Sequence, residues 1–264
     1  MIDIKQLDIN LDETEKLVTR FIRKSIKQAH LTKAVVAVSG GIDSAVTLAS
    51  SVKAMGTENV TALTLPERDI TPQGDVEDVM RLCEALGVTC ERIEITPMLR
   101  VMRENVPAFD PSDRVANGNM KARLRMLFTY YYANVRRGMV MGTSNKTELY
   151  LGYYTKYGDG GVDVMPFADL YKCQIRALGR HLGVPGSITE KPASARLWIG
   201  QDTEKELGLP YDSLDLILYT HLRGWSPSKI AAETGVDQGS VEGVLARIAA
   251  NEHKRTTPAI LRLS

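Results

Sequence analysis

Over the first 142 residues, short apolar runs rich in β-branched side chains alternate with longer stretches of helical period. The runs are residues 34–38, 59–65, 88–95 and 138–142, and between them lie residues 43–55, 72–86, 97–106 and 121–136. A strand that is apolar on both faces has to be covered on both faces, and intervening helices supply that cover. The expected fold is therefore α/β, a doubly wound, mostly parallel sheet flanked by helices. A leading helix is expected over residues 12–30, with Leu17, Phe21, Ile22, Ile26 and Ala29 at helical spacing. Beyond Pro166 no further strand is expected. Residues 170–182, 211–222, 226–233 and 238–251 read as helices, so the C-terminal part is helical. Residues 189–208 are polar and irregular, long enough for a lid or binding loop. A chain of 264 residues buries roughly 70–75% of its unfolded surface and needs no staples. One domain is expected over residues 1–264, divided into a helix (1–32), an α/β core (33–182), and a loop with helices (183–264).

Lys and Arg number 33 against 32 Asp and Glu, a net charge of +1. That balance argues against a protein holding nucleic acid by charge alone. Cys83, Cys90 and Cys173 are odd in number and widely spaced. They suit reduced, small buried side chains in a cytoplasmic protein. The acidic N-terminal stretch does not resemble a signal peptide. No apolar run approaches the ~20 residues of a membrane span, so no membrane partner is expected.

Ligands of parallel α/β sheets collect beyond the carboxyl ends of the strands. After the first strand the chain reads Val38-Ser39-Gly40-Gly41-Ile42-Asp43-Ser44. Two glycines allow a sharp turn with positive φ and let another group approach the backbone. The helix that follows begins with free N–H groups and a partial positive charge. Together these make an anion cradle suited to phosphate, with Ser39 and Ser44 as hydroxyl donors. Asp43 repels phosphate unless a cation stands between them, so it reads better as a magnesium ligand. The competing reading is an ordinary strand–turn–helix with an acid in its first turn. Residues 66–75, after the second strand, read as a flap. The patterns GxxxxGK[ST] and GxGxxG are both missing. Ser-Gly-Gly-x-Asp-Ser instead resembles the signature of the ATP pyrophosphatases of the adenine nucleotide α-hydrolase class, whose Rossmann-like fold uses this loop for the pyrophosphate end of ATP.

Residues 142–172 form a second constellation, GTSNKTELYLGYYTKYGDGGVDVMPFADLYK. Glu148, Asp159 and Asp163 offer carboxylates that could share a metal with Asp43; Lys146, Lys156 and Lys172 offer charges for phosphates. A solvated loop of mixed charge is the plainer reading. The stretch closely resembles the ammonia-dependent NAD synthetases, with Gly-Thr-x-Asn-Lys-x-Glu, Gly-Tyr-x-Thr-x-Tyr-Gly-Asp and Leu-Tyr-Lys in order. GNMKARLRM (118–126), KPASARLWIGQ (191–201) and EHKR (252–255) extend the resemblance over nearly the whole chain.

The resemblance implies a ligase that joins ammonia to the nicotinate carboxylate of deamido-NAD, the last step of NAD biosynthesis. ATP adenylates the carboxylate and releases pyrophosphate; ammonia then displaces AMP. It implies that Asp43 and Glu148 hold Mg2+. It assigns ATP to Val38, Ser39, Gly40, Gly41, Ile42, Asp43, Ser44, Thr143, Lys172 and Ser194, with Asp43 and Lys172 catalytic and Lys172 facing the α-phosphate. Arg123, Lys156, Asp163, His253 and Lys254 are implied deamido-NAD contacts. A homodimer with the dinucleotide site at its interface is also implied, with the helix of Leu124, Leu127, Phe128, Tyr131 and Tyr132 as a packing surface.

Two positions depart from the family pattern. Arg196 stands where the substrate loop commonly carries an acid, and Gln201-Asp202-Thr203-Glu204 replaces Gln-Thr-Asp-Glu. No amidase domain is expected before residue 34, so free ammonia is the expected nitrogen donor. Residues 226–255 also have the outline of a helix-turn-helix. Asp237, Glu242 and Glu252 beside the second helix speak against DNA as a partner.

Overall fold

The computed structural model describes residues 1–263. Among them, four strands form one parallel sheet in the order β3-β2-β1-β4. After a short 3-10 turn over Ile4–Leu7 comes α1 (Leu11–Gln28), capped by Asn10, whose side chain accepts from the Glu13 N–H at 3.0 Å. Then come β1 (Lys33–Ala37), α2 (Ile42–Met55), β2 (Val60–Thr64), α3 (Gln73–Ala85) and β3 (Cys90–Arg92). The first half closes with α4 (Thr96–Asn105), α5 (Arg114–Arg136) and β4 (Gly138–Val140). β3 is shorter than its apolar run: residues 90–92 lie in register with β2, and the Ile93 N–H makes the last bond to it, to the Thr64 carbonyl at 2.9 Å. α5 begins seven residues before its apolar pattern, where the Asp113 side chain accepts the Ala116 N–H at 2.8 Å. A side-chain oxygen there satisfies an otherwise unpaired first-turn donor.

Alternation along β1 sorts the core into two layers. Ala34 and Val36 face a cluster with Val18, Ile22 and Ile26 of α1, the apolar side of α2, and Val79 and Leu82 of α3. Val35 points the other way, into a cluster with Ile95, Leu99 of α4, and Leu124 and Ala133 of α5. Successive side chains of a strand must part in this way. α1 buries Val18, Ile22 and Ile26, whereas Leu17 and Phe21 are 54% and 43% exposed. Of the expected stripe Ile22 and Ile26 are buried, while Leu17, Phe21 and Ala29 are exposed and Val18 takes the place of Leu17: the buried residues are four apart, and their neighbours lie about 100° round the helix.

The second half is built from helices joined by long loops and adds to the sheet only a single bridge, between Met141 and Val164. α6 (Lys146–Leu151), α7 (Lys172–His181), α8 (Gly186–Thr189), α9 (Thr203–Leu207), α10 (Tyr211–His221), α11 (Pro227–Thr234), α12 (Gln238–Ala250) and α13 (Glu252–Arg255) follow. α7 joins the first core layer through Ile175 and Leu178. α10, α11 and α12 gather a third cluster around Tyr211, Leu214, Ile217, Leu218, Ile230 and Val241. Val244 and Ile248, on the apolar side of the would-be recognition helix, are buried in that cluster. The expected flap after β2 is anchored at its start. Glu67 is 4% exposed and pairs with Lys121 at 2.7 Å and Arg103 at 3.0 Å.

Candidate active site

Val38 extends the parallel pairing by one bond, its N–H donating to the Leu63 carbonyl at 2.7 Å. The chain then turns at Gly40, with φ +84°, into α2. A Cβ at Gly40 would lie 2.7 Å from the Asp75 carbonyl oxygen, so only glycine fits both the turn and the space. Ser44 Oγ accepts the Ser39 N–H at 3.1 Å and lies 2.9 Å from the Gly41 carbonyl, to which it donates. These bonds set the loop from within. No side chain caps the first turn of α2, which leaves its N–H groups to an anion.

Three charged side chains from three helices meet beside this loop. Asp43 lies in the first turn of α2, Glu148 in the first turn of α6, and Lys172 opens α7. Lys172 Nζ donates to Asp43 Oδ2 at 2.5 Å and to Glu148 Oε1 at 3.1 Å. The Lys172 side chain is 3% exposed. Burial alone would lower its pKa, but Asp43 and then Glu148 outweigh burial and hold it above the usual lysine value. Burial, helped by the charge of Asp43, pushes the Glu148 carboxyl up to about 7 against the pull of Lys172 and Tyr211. The Tyr211 hydroxyl donates to Glu148 Oε1 at 3.2 Å.

Sequence reasoning missed the residues that fix this geometry. Asn145 caps α6 by accepting the Glu148 N–H at 3.0 Å, and its amide donates to Asp43 Oδ1 at 2.7 Å. One side chain thus ties the metal-ligand candidates of two helices together. Asn-Lys-Thr-Glu is a capping-box pattern, so its local role could have been read. Asp215 of α10 is fully buried and accepts from the Thr147 hydroxyl and from the Cys173 N–H at 2.8 Å, locking α6 to α7. Nothing local to Tyr211 or Asp215 announces either contact.

Asp43 and Glu148 converge on the Lys172 ammonium, and two carboxylates with phosphate oxygens as further donors form a set suited to Mg2+. Among the described residues, no cluster of three or more His, Cys, Asp or Glu surrounds a common metal point. Asp159 and Asp163 are placed elsewhere. Asp159 accepts the Thr155 N–H at 2.8 Å. Asp163 accepts the Val140 N–H at 2.7 Å and the Tyr130 hydroxyl at 3.0 Å.

Arg123, Lys156, His253 and Lys254 form a second group. Arg123 donates to the Lys156 carbonyl at 3.3 Å, and Lys156 Nζ to the His253 carbonyl at 2.5 Å. Lys254 Nζ donates to the Gly152 carbonyl at 2.7 Å, which fastens α13 to the end of α6. Burial first, then the charge of Arg247, lowers its pKa. Asp163 reaches α5 only through Tyr130, seven residues from Arg123. Thr143 is half-buried beyond the end of β4, and Ser194 Oγ accepts the Arg196 N–H at 3.2 Å.

The fold and the loop define a Rossmann-like nucleotide-binding protein with an anion cradle at the end of its central strand. Residues 14–258 match the NAD synthase family, and the chain belongs to it. An NH3-dependent NAD+ synthetase of Methanococcoides burtonii is 43% identical, over 97% of each chain. An NMN synthetase structure from Francisella tularensis superimposes with a TM-score of 0.85 at 32% identity, covering 97% of this chain and 100% of that one. An NH3-dependent NAD synthetase structure from Campylobacter jejuni gives 0.81 at 29% identity, covering 96% and 100%.

Proposed function

We propose that the chain amidates the nicotinate carboxylate of deamido-NAD with ammonia, at the expense of ATP. The carboxylate attacks the α-phosphorus of ATP and pyrophosphate leaves. Ammonia then attacks the acyl carbon of the mixed anhydride, and AMP departs with the original carboxylate oxygen. The observation that carries this reading is Lys172, buried between Asp43 and Glu148 beside the cradle. A buried, permanently charged ammonium matches the negative charge that builds on the α-phosphate. The N–H groups of α2 and the Ser39 hydroxyl take the departing pyrophosphate, in a loop whose shape Ser44 holds through its bonds to Ser39 and Gly41. Asp43 and Glu148 would hold Mg2+, whose charge neutralises phosphate oxygens when it is bound. Thr143 and Ser194 complete the ATP site in this reading. Arg123, Lys156, Asp163, His253 and Lys254 line the dinucleotide's path. No side-chain nucleophile is required, because positioning and charge neutralisation carry the barrier.

The α5 surface supports a homodimer. Leu127, Tyr131 and Val135 recur every four residues and are each more than half exposed, while Leu124 is buried. The residues 121–136 expected to pack on two sides thus present one apolar side outward. Among the described residues no helix is long and apolar enough to cross a membrane. The three free cysteines fit a reducing compartment, which supports a cytoplasmic site of action.

Mass spectrometry of products tests the reading. The protein is incubated with ATP, magnesium, ammonium and deamido-NAD; a second tube holds glutamine in place of ammonium. A third replaces deamido-NAD by nicotinate mononucleotide, because one of the similar structures is an NMN synthetase. NAD and AMP in the first tube alone are expected. AMP with the mononucleotide amide in the third tube alone would overturn the acceptor and keep the adenylation.

A further inference from the structure

Residues 191–202, between α8 and α9, are held against the cradle by buried charges on α3. Lys191 Nζ pairs with Asp75 at 2.7 Å and Asp78 at 2.6 Å, and donates to the Gly40 carbonyl at 3.2 Å. Arg196 Nε donates to the other Asp75 oxygen at 2.8 Å. Asp75 is 5% exposed and lies in the first turn of α3. Its own carbonyl is the atom that a Cβ at Gly40 would strike, so the start of α3 forms one wall of the cradle. The same carboxylate therefore grips the loop at residues 191 and 196, and Ser194 lies between those ties.

Other contacts hold the loop beyond Arg196. Lys121 Nζ donates to the Leu197 carbonyl at 2.6 Å, and Gln201 accepts the Leu197 N–H at 2.8 Å. Arg196 itself sits at φ +52°. A non-glycine residue in that region costs of order 1–3 kcal/mol and persists only where surrounding contacts over-determine it. The ion pair with Asp75 is such a contact, and an acidic side chain at position 196 would instead face a buried carboxylate.

We propose that Asp75 and Arg196 are positioning residues for the nucleotide: their ion pair, seconded by Lys191, holds Ser194 beside the cradle before ATP arrives. The proposal rests on the ATP reading above. In it the loop is pre-organised, so ATP does not have to supply its ordering free energy on binding. Loss of the tie then weakens ATP binding and leaves the chemical step unchanged.

Trp198, two residues from Arg196, reports on the loop directly. Trp225 is the chain's other tryptophan. In a Trp225→Phe background, acrylamide quenching of Trp198 is measured without nucleotide, for the parent and for Arg196→Ala, Arg196→Lys and Asp75→Asn. The KM for ATP and kcat are measured for the same proteins. For Arg196→Ala we expect about twofold stronger quenching and a KM about tenfold higher at nearly constant kcat. Arg196→Lys should recover most of both. The double variant should be no worse than Asp75→Asn alone, because the two residues share one interaction. Parental quenching and KM in Arg196→Ala, or strictly additive effects, would overturn the proposal. Should Asp75→Asn fail to fold, the two Arg196 variants decide. If the parent binds no ATP, the functional reading fails, while the quenching still decides whether the tie holds the loop.

Discussion

Replacing Glu148 by glutamine keeps the shape of the side chain and removes its charge. In the folded protein its carboxyl is pushed up to about 7, against an unperturbed 4.5, by burial first and the charge of Asp43 second. Between those two values the folded state binds more protons than the unfolded chain. Stability therefore falls as pH rises from 4.5 to about 7. Below that window both states are protonated and the penalty vanishes; above it the penalty is complete. At about 1.4 kcal/mol per pH unit, the interval amounts to about 3 kcal/mol. Urea unfolding of the wild type and Glu148→Gln, without nucleotide and with EDTA, reads it directly. From about pH 5 to pH 8 the wild type should lose about 2–3 kcal/mol relative to the variant. Magnesium with ATP should cancel most of that slope, because a divalent cation favours the ionised carboxylate. Parallel curves for the two proteins would refute the reasoning, since they would mean that Lys172 fully compensates the burial of Glu148.

Lys172→Gln should lower kcat/KM by about 10²- to 10³-fold in the NAD-forming assay, the usual loss of a charge that meets a developing anion. A variant within fivefold of wild type would remove Lys172 from the chemistry. Gly40→Ala should cost about 1–3 kcal/mol in urea unfolding, from its left-handed φ and the contact with the Asp75 carbonyl. Unchanged stability would mean that the cradle wall moves aside freely. Leu127→Asp with Tyr131→Asp should turn a dimer into a monomer by light scattering, and a wild type that is already monomeric would withdraw the α5 interface.

Local chemistry made much of this protein legible in its sequence. The apolar runs over residues 34–38 and 59–65 became β1 and β2 because alternating helices leave a parallel sheet few other arrangements. The turn at Gly40 and Gly41 could be read because positive φ and close backbone approach are glycine's own properties. Asp43 was picked out by one motif and Glu148 and Lys172 by another more than 100 residues further on, and the fold brings the three to one point. Element ends were harder to read. β3 stops where its partner stops, and α5 starts at a cap that no periodicity reveals.

What the tertiary structure alone decided is how the charges are shared. Asp163 could have joined Asp43 at a metal by its charge alone, yet the fold commits one of its oxygens to the backbone of β4. Asp75 and Asp78 of α3 are buried against Lys191, and Asp75 against Arg196 as well, pairings that join segments more than 100 residues apart. Asp215 and Tyr211 reach the site from α10, more than 60 residues beyond Glu148. The physical reason is range. Turn geometry, capping and amphipathic period are properties of a few neighbouring residues, and the sequence by itself determines them. The partner of a buried charge is set by which surfaces the packed helices bring together, and that exists only once the chain has folded.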